Sequence, residues 1–285
     1  MKRYKKEQNG KLEIGQILYT KHFALTVDRN LCKSCEMCKL VCPREAISLA
    51  PVKNAPPVLD IDENKCDFHG ICAVVCPFSA INITTNGINE IPAVKSEVFP
   101  ELIRDIKADN KKCRPGCKKC EEKCPLGIIT VNENQEVNIQ TELCAGCQIC
   151  WQECPGDAIE VTKFIEGSIK INNEACEVGC RQCLNACPVN ALALDLDGNV
   201  YAKDMNCIYC GACLLVCPNR DEALKIERTA IRHTPVQSGA WNKGLEKLTS
   251  QAGLMRELAA QNAGKARKAV ENLGLTGLTE EGQII

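Results

Sequence analysis

A cysteine pattern that recurs six times constrains this chain more than any other feature of its 285 residues. The first, fourth and sixth occurrences read C-x2-C-x2-C-x3-C-P, and the third and fifth read C-x3-C-x2-C-x3-C-P. Every occurrence ends in Cys-Pro, at Pro43, Pro77, Pro125, Pro155, Pro188 and Pro218. A motif that repeats in this way indicates an array of similar structural units.

Two motifs make one unit of the array. Adding 63 to the number of each cysteine in the third and fourth motifs gives a cysteine of the fifth and sixth, at all eight positions. The third motif therefore pairs with the fourth and the fifth with the sixth, which leaves the first with the second. The predicted divisions are domain 1 at 1–90, a linker at 91–110, domain 2 at 111–171, domain 3 at 172–235 and a C-terminal extension at 236–285.

The composition indicates that the cysteines bind metal rather than form disulfides. Cysteine accounts for 23 of 285 residues, a level that suggests a disulfide scaffold in a short secreted chain. However, the count is odd and no apolar signal-peptide core is seen near the first residue, so we expect metal-bound thiolates in a reducing cytoplasm. No membrane span is expected, and a net charge of −1 with 4% aromatic residues gives no sign of nucleic-acid binding.

The spacing itself indicates iron–sulfur clusters. Three thiolates two residues apart wrap one corner of a cubane, and the fourth cysteine of the motif ligates the neighbouring cluster. The proline that follows ends the turn and has no N–H that needs a partner. Zinc sites also use C-x2-C pairs, but zinc has no use for a third cysteine in the same run. We therefore expect six [4Fe–4S] clusters, arranged in a row.

From about Asp28 to Ile226, the three pairs of motifs resemble the tandem 2[4Fe–4S] ferredoxin domains of archaeal polyferredoxins. Domain number, chain size and a cysteine-free tail also resemble the polyferredoxin subunit of formylmethanofuran dehydrogenase. The resemblance implies an α+β fold, with short antiparallel strands and short helices around the clusters of each domain and a helical tail. Strands are predicted at Ala24–Val27, Ile81–Ile83, Ile128–Val131, Ile159–Val161 and Ile169–Ile171.

The resemblance also implies one ligand set for each cluster, and we name these sets sites 1 to 6. Site 1 has Cys32, Cys35, Cys38 and Cys76; site 2 has Cys66, Cys72 and Cys42; site 3 has Cys113, Cys117, Cys120 and Cys154. Site 4 has Cys144, Cys147, Cys150 and Cys124; site 5 has Cys176, Cys180, Cys183 and Cys217; site 6 has Cys207, Cys210, Cys213 and Cys187.

Site 2 departs from the pattern, because His69 replaces the second cysteine of the motif in register. Imidazole is a suitable ligand for iron, and it raises the potential where it replaces thiolate. Three alternatives follow: His69 ligates a [4Fe–4S] cluster, His69 lies beside a [3Fe–4S] cluster, or water or Asp67 occupies the fourth corner. His22 and His233 lack such a context and are predicted to be surface residues.

The sequence contains no dinucleotide fingerprint, P-loop or zinc-protease motif, so we predict an electron carrier rather than an enzyme. The resemblance implies a subunit that conducts single electrons within a larger cytoplasmic redox complex, where other subunits and ferredoxin-type carriers are its partners and methanogenesis is the setting. The alternatives are a freely diffusing carrier and, less favoured, a reductase that acts at the cluster near His69.

Further expectations concern the structure of the two terminal segments. The segment from Lys11 to Val27 adds strands to domain 1, whereas the basic residues before it are expected to be mobile. The stretch Trp241–Leu273 is rich in helix-forming residues, and leucines give it a partial apolar face. We expect this face to dock a partner protein, because small ferredoxin domains offer little apolar surface; packing back on the domains is the alternative.

Overall fold

The computed structural model describes residues 2–52 and 55–272, and it shows one local arrangement three times. In each cysteine-rich region, two outer strands pair with each other in antiparallel fashion. Between them lie an inner strand hairpin and two short helices, or three in the last region. This repetition of short strands and helices confirms the predicted α+β class. No helix in the described part of the chain has the length and apolar character needed to cross a bilayer.

The first region carries the largest sheet, with five antiparallel strands in the order β1-β2-β3-β6-β7. Strands β4 and β5 form the inner hairpin beside it. The strands are β1 (Lys2–Gln8), β2 (Lys11–Ile17), β3 (His22–Asp28), β4 (Ile47–Val52), β5 (Ala55–Ile61), β6 (Ile81–Thr85) and β7 (Ile88–Asn89), and the helices are α1 (Met37–Val41) and α2 (Ile71–Val74).

The second and third regions are smaller, because each has only its outer pair and its hairpin. After α3 (Pro92–Lys95), the second region contains β8 (Asp105–Ala108), α4 (Lys119–Lys123), β9 (Ile129–Val131), β10 (Val137–Ile139), α5 (Ile149–Gln152) and β11 (Ile159–Thr162). The third contains β12 (Ile165–Ile171), α6 (Gln182–Ala186), β13 (Leu192–Leu194), β14 (Val200–Ala202), α7 (Ala212–Val216), α8 (Arg220–Ala223) and β15 (Leu224–Ile231).

Strand pairing divides the chain somewhat differently from the cysteine motifs. Strand β8 pairs with β11, although the sequence places β8 in the linker. Strand β12 pairs with β15, although the sequence places β12 at the end of domain 2. The 63-residue repeat fixes the period of the array, but it does not fix where each unit begins, because the outer strands carry no cysteine.

The N-terminal residues form a strand rather than a mobile segment. Strands β1 and β2 are joined through Asn9 and Gly10, whose φ angles are 52° and 72°. An Asn-Gly pair with both φ angles positive is typical of the two-residue hairpin turn. On β2, Leu12 and Ile14 are buried in the core of domain 1, so the hairpin is anchored and the expectation of mobility is wrong.

The tail packs back on the ferredoxin domains over part of its length. Helices α9 (Gly239–Leu248) and α10 (Gln251–Asn272) follow the last cysteine region. Trp241, Leu245 and Leu248 are at most 2% exposed and join a core that contains residues of all three domains. This apolar face is therefore not free to dock a partner, contrary to our expectation. Residues 273–285, the end of the predicted extension, lie outside the described residues.

The tail packs on the domains because the three domains together offer more apolar surface than any one of them alone. Phe99 of the linker meets the Trp241 ring edge-on, with ring centroids 5.2 Å apart. The Trp241 indole N–H also donates to His233 Nε2 at 3.1 Å. His233, predicted to be a surface residue, has a side chain only 6% exposed, because the tail covers it.

Candidate metal centres

The cysteine loops curve through residues with left-handed backbone. In four motifs, the second and fourth residues after the first cysteine have positive φ; the pairs are Ser34 and Glu36, Phe68 and Gly70, Gly146 and Gln148, and Tyr209 and Gly211. Most side chains adopt this conformation rarely. The bends direct backbone N–H groups at sulfur: Phe68 N–H donates to Cys66 Sγ and Tyr209 N–H to Cys207 Sγ, both at 3.4 Å.

A second bend follows five of the six Cys-Pro pairs. The residue three positions after the last cysteine has positive φ at Glu45, Ser79, Gly127, Asp157 and Asn190. The next N–H then donates to that cysteine's sulfur, over 3.2–3.4 Å, from Ala46, Ala80, Ala158 and Ala191. Hydrogen bonds to cluster sulfurs raise the potential, so these turns prepare the sites for electron transfer. The alanine that recurs four residues after the cysteine was a signal that our sequence reasoning missed.

In domain 1, the fold brings cysteines of the first and second motifs close to one another. Burial raises the pKa of Cys35 well above its usual range, and the charges of Cys76 and Cys32 raise it further. Burial likewise raises the pKa of Cys72, with additional contributions from Cys66 and Cys42. The last cysteine of each motif therefore lies in the electrostatic field of the other motif's cysteines, which is the crossed arrangement that two clusters in one domain require.

The other two domains show the same crossing. In each of sites 3 to 6, burial raises the pKa of one thiol, and the charges of neighbouring cysteines raise that pKa further. At site 3, Cys154 and Cys117 act on Cys113; at site 4, Cys147, Cys144 and Cys124 act on Cys150, whose pKa rises to about 12. At site 5, Cys180, Cys217 and Cys176 act on Cys183, whose pKa rises to about 11; at site 6, Cys187 and Cys207 act on Cys210, whose pKa rises to about 12.

Three of the sites enclose small cavities that are lined by their own cysteines. At site 5 all four cysteines of the set line the cavity, and the same is true at site 4. At site 2 a cavity is lined by Cys42, Cys66 and Cys72 together with His69. In the described part of the chain, no group of His, Cys, Asp or Glu side chains could hold a metal ion by itself.

The chemistry of these cysteine sets fits an iron–sulfur cluster. Burial disfavours the charged form of each cysteine and neighbouring thiolates repel one another, so the thiols hold their protons tightly. Positively charged iron removes that repulsion and releases the protons as it binds. When bound, a [4Fe–4S] cluster supplies one-electron exchange; the protein provides the ligands, the N–H donors and the burial. The ligand assignment itself stays a prediction.

His69 occupies the position of a cysteine sulfur within its loop. Its Nδ1 accepts a hydrogen bond from Ile71 N–H at 3.1 Å, just as the Cys210 thiol accepts from Ala212 N–H in site 6. Burial lowers the pKa of His69 and favours the neutral ring. A neutral imidazole has one nitrogen lone pair, so His69 can ligate iron only if this hydrogen bond is given up. Asp67 is paired with Arg44 at 3.0 Å and is a poor candidate for the fourth corner.

Comparison with known proteins identifies the domain type. Models of the 4Fe-4S dicluster domain match residues 31–80 and 168–218. The aliphatic sulfonate oxidoreductase polyferredoxin-like subunit of Pyrococcus furiosus is 32% identical over 101 residues, which are 32% of this chain and 58% of that protein. An uncharacterized ferredoxin of Methanocaldococcus jannaschii is 30% identical over 125 residues, which are 42% of this chain and 68% of that protein.

A solved structure extends the likeness to most of the chain. One chain of the formate dehydrogenase–heterodisulfide reductase–formylmethanofuran dehydrogenase complex from Methanospirillum hungatei superimposes with a TM-score of 0.78 and 28% identity. The match covers 87% of this chain and 92% of that one. By contrast, the chain spans only 58% of the Pyrococcus relative. From the crossed cysteine motifs, the dicluster-domain matches and these relatives, the chain belongs to the polyferredoxins of archaeal type.

Proposed function

We propose that this chain is an electron-transfer subunit that conducts single electrons through six iron–sulfur clusters within a larger redox complex. One observation carries the proposal: in all three domains, the last cysteine of each motif lies with the cysteines of its partner motif. Two clusters thereby come close together in each domain. Because clusters exchange one electron each, closely spaced clusters form a path for electrons.

The structural match supports membership of a complex. The matched chain belongs to an assembly whose title names a formate dehydrogenase, a heterodisulfide reductase and a formylmethanofuran dehydrogenase. Since the match covers nearly all of both chains, a place in an assembly of this kind, with formylmethanofuran dehydrogenase as one partner, is the most specific form of the proposal. A cytoplasmic location and a role in methanogenesis belong to the same proposal and follow from it alone.

Anaerobic purification tests the cluster count. Six cubanes require about two dozen irons and as many sulfides per chain, and a three-iron cluster at site 2 lowers the iron count by about one. The protein should be brown and should bleach with dithionite. Colourless protein, zinc-loaded protein or protein locked by disulfides would refute the electron-transfer proposal.

Native extracts test membership of a complex. A subunit elutes from size exclusion in anaerobic buffer at the mass of an assembly, together with other redox proteins. A freely diffusing carrier elutes at the mass of the single chain, and that result would exclude the proposed complex while leaving electron transfer intact. Turnover of a substrate by the isolated chain would instead favour the reductase alternative.

For site 2 we propose a cluster bound by three thiolates, with His69 in the place of the missing cysteine. The cavity lined by the three cysteines and His69 supports this placement, since the imidazole is part of the same wall. Ligation by His69 and a three-iron cluster beside His69 are the two forms of the proposal. They differ in iron content and in the consequence of replacing His69.

A further inference from the structure

We infer that sites 1, 4 and 6 meet at the centre of the molecule as a three-way junction, with one cation between each pair of sites. The cations are Arg104 between sites 1 and 4, Lys163 between sites 4 and 6, and Arg228 between sites 6 and 1. The inference rests on the proposed function, because it takes the sites to hold clusters. Arg104 donates hydrogen bonds to both of its sites, whereas Lys163 and Arg228 donate to site 6, whose loop lies against the loops of sites 4 and 1.

Arg228 joins sites 6 and 1. It is only 7% exposed, and its guanidinium donates to the carbonyl oxygens of Tyr209 at 2.7 Å and Cys210 at 3.2 Å, both in the site 6 loop. The same guanidinium lies in the electrostatic field of Cys35 in site 1. The two loops also touch: a Cβ added to Gly211 would lie 3.6 Å from the Cys35 carbonyl oxygen.

Arg104 joins sites 1 and 4. Its guanidinium donates to the carbonyl oxygen of Cys76 at 2.7 Å, and also to that of Cys144. Cys76 belongs to site 1 and Cys144 to site 4, so one planar group holds the backbone of a ligand from each domain. The guanidinium carbon also lies 4.8 Å from the centre of the Phe164 ring, which fixes the cation from one side.

Lys163 joins sites 4 and 6. Its ammonium donates to the carbonyl oxygens of Asp204 at 2.6 Å and Cys207 at 2.9 Å, beside site 6. The charge of Cys147 in site 4 acts on the same ammonium. A direct contact reinforces the pair, because the buried Asn206 side chain donates to the Cys147 carbonyl oxygen at 3.3 Å.

These contacts give the electron path a branched form. Each domain places one site at the junction and keeps its other site, which is site 2, 3 or 5, away from it. Among the described residues, the cysteine carbonyls bonded by the three cations belong to sites 1, 4 and 6 alone. The loops of sites 3 and 5 face solvent at Arg114 and Val178. The row of six clusters expected from the sequence is thus replaced by three arms.

The cations affect the clusters as well as the packing. A positive charge favours the reduced cluster, which is the more negative form, and so raises its potential. Because these charges lie in a partly dry interior, water screens them less than it screens a surface charge. Each cation lies between two sites, so its removal should lower two potentials in different domains. We therefore assign Arg104, Lys163 and Arg228 as positioning residues.

The test is an EPR-monitored redox titration of the anaerobically purified full chain. Arg104→Met should lower the midpoint potentials of sites 1 and 4, Lys163→Met those of sites 4 and 6, and Arg228→Met those of sites 6 and 1. Signals are assigned with Cys35→Ser, Cys147→Ser and Cys210→Ser, each of which alters one junction site. Arg114→Met, which removes an exposed cation beside site 3, is the matched control and should shift little.

Conservative variants separate charge from structure. Arg104→Lys and Arg228→Lys should keep wild-type potentials, even if a methionine variant loses iron. Methionine variants with full iron content that shift no potential, or that shift both sites of one domain, would overturn the junction. Lysine variants with full iron content but lowered potentials would also overturn the junction. Wild-type protein without its clusters would overturn the proposed function itself, and the junction with it.

Discussion

At the residue scale, backbone conformation does as much at these sites as the cysteines do. Left-handed residues bend four of the loops and aim N–H groups at sulfur in sites 2 and 6, and the alanine that follows four of the six Cys-Pro pairs adds another donor. Glycine adopts this conformation without strain. Ser34, Phe68 and Tyr209 also adopt it, although their side chains disfavour it. Their conformation is imposed by the loop, because strain of about 1–3 kcal/mol at one residue persists only where surrounding structure compensates for it.

Replacing His69 should distinguish the two forms of site 2. In His69→Cys, a thiolate adds a negative charge and completes the four-cysteine set, so the potential of site 2 should fall. The iron count should stay constant if the native cluster has four irons, and rise by about one if it has three. EPR-monitored titration and iron analysis measure both quantities.

The alanine variant tests ligation itself. If imidazole binds iron, His69→Ala should alter the EPR spectrum of site 2 or release iron from it. His22→Ala is the control, since His22 lies in the same domain and bonds to Tyr4 rather than to a cysteine loop. Unchanged spectra and iron content in His69→Ala would show that His69 is not a ligand.

At the element scale, short apolar runs between the cysteine motifs predicted five strands, whereas the described residues form fifteen. The predicted segments at Ala24–Val27, Ile81–Ile83 and Ile159–Val161 lie within β3, β6 and β11. The motifs could not predict which strands pair, because pairing joins residues far apart in sequence and leaves no local period. The hairpin at Asn9 and Gly10 was predictable from its turn residues, but the basic residues of β1 led us to expect a mobile segment.

For the α9 part of the tail, the expectation of docking fails for a related reason. The leucine stripe indicated a helix with one apolar face, and the structure confirms a buried face on α9. What covers that face depends on how three domains assemble, and local patterns carry no such information. The glycines of the tail illustrate this: a Cβ at Gly253 would lie 2.5 Å from the Thr229 carbonyl oxygen, so α10 can approach β15 only without a side chain there.

Two glycine substitutions in α10 should have opposite effects. Gly253→Ala should destabilise the packing of α10 on β15 by about 1–3 kcal/mol, because the added methyl overlaps a backbone oxygen that cannot move freely. Gly264→Ala, in the same helix with nothing within 4 Å of the added Cβ, should stabilise the helix by up to about 1 kcal/mol. Hydrogen exchange of the α10 amides measures both, and equal effects would contradict the close approach.

At the scale of the whole molecule, the three domains do not depend on metal to the same degree. Domain 1 adds a five-stranded sheet and a core that contains Leu12, Ile14, Leu25 and Ile83. Domains 2 and 3 have two-stranded sheets, and such pairs are marginal without other support. In small domains, metal binding supplies part of the folding free energy. The sequence predicted three similar units, with strands added to domain 1 between Lys11 and Val27, and β2 and β3 confirm that addition.

Removal of iron should therefore unfold the molecule unevenly. With a chelator and an oxidant, the strand pairs β8–β11 and β12–β15 should lose hydrogen-exchange protection first. Strands β2, β3 and β6 should keep protection longer, because their core does not consist of cysteines alone. Loss of protection at one rate in all three domains would show instead that the junction makes the molecule a single cooperative unit.

The meeting of three inner sites has a consequence for tolerance of oxidative damage. In a serial path, destruction of any one cluster by oxygen separates everything before it from everything after it. Here each inner site adjoins the other two, so destruction of one isolates only the outer site of its own domain. The remaining two domains still exchange electrons, and the molecule loses one branch while keeping its conductance between the others.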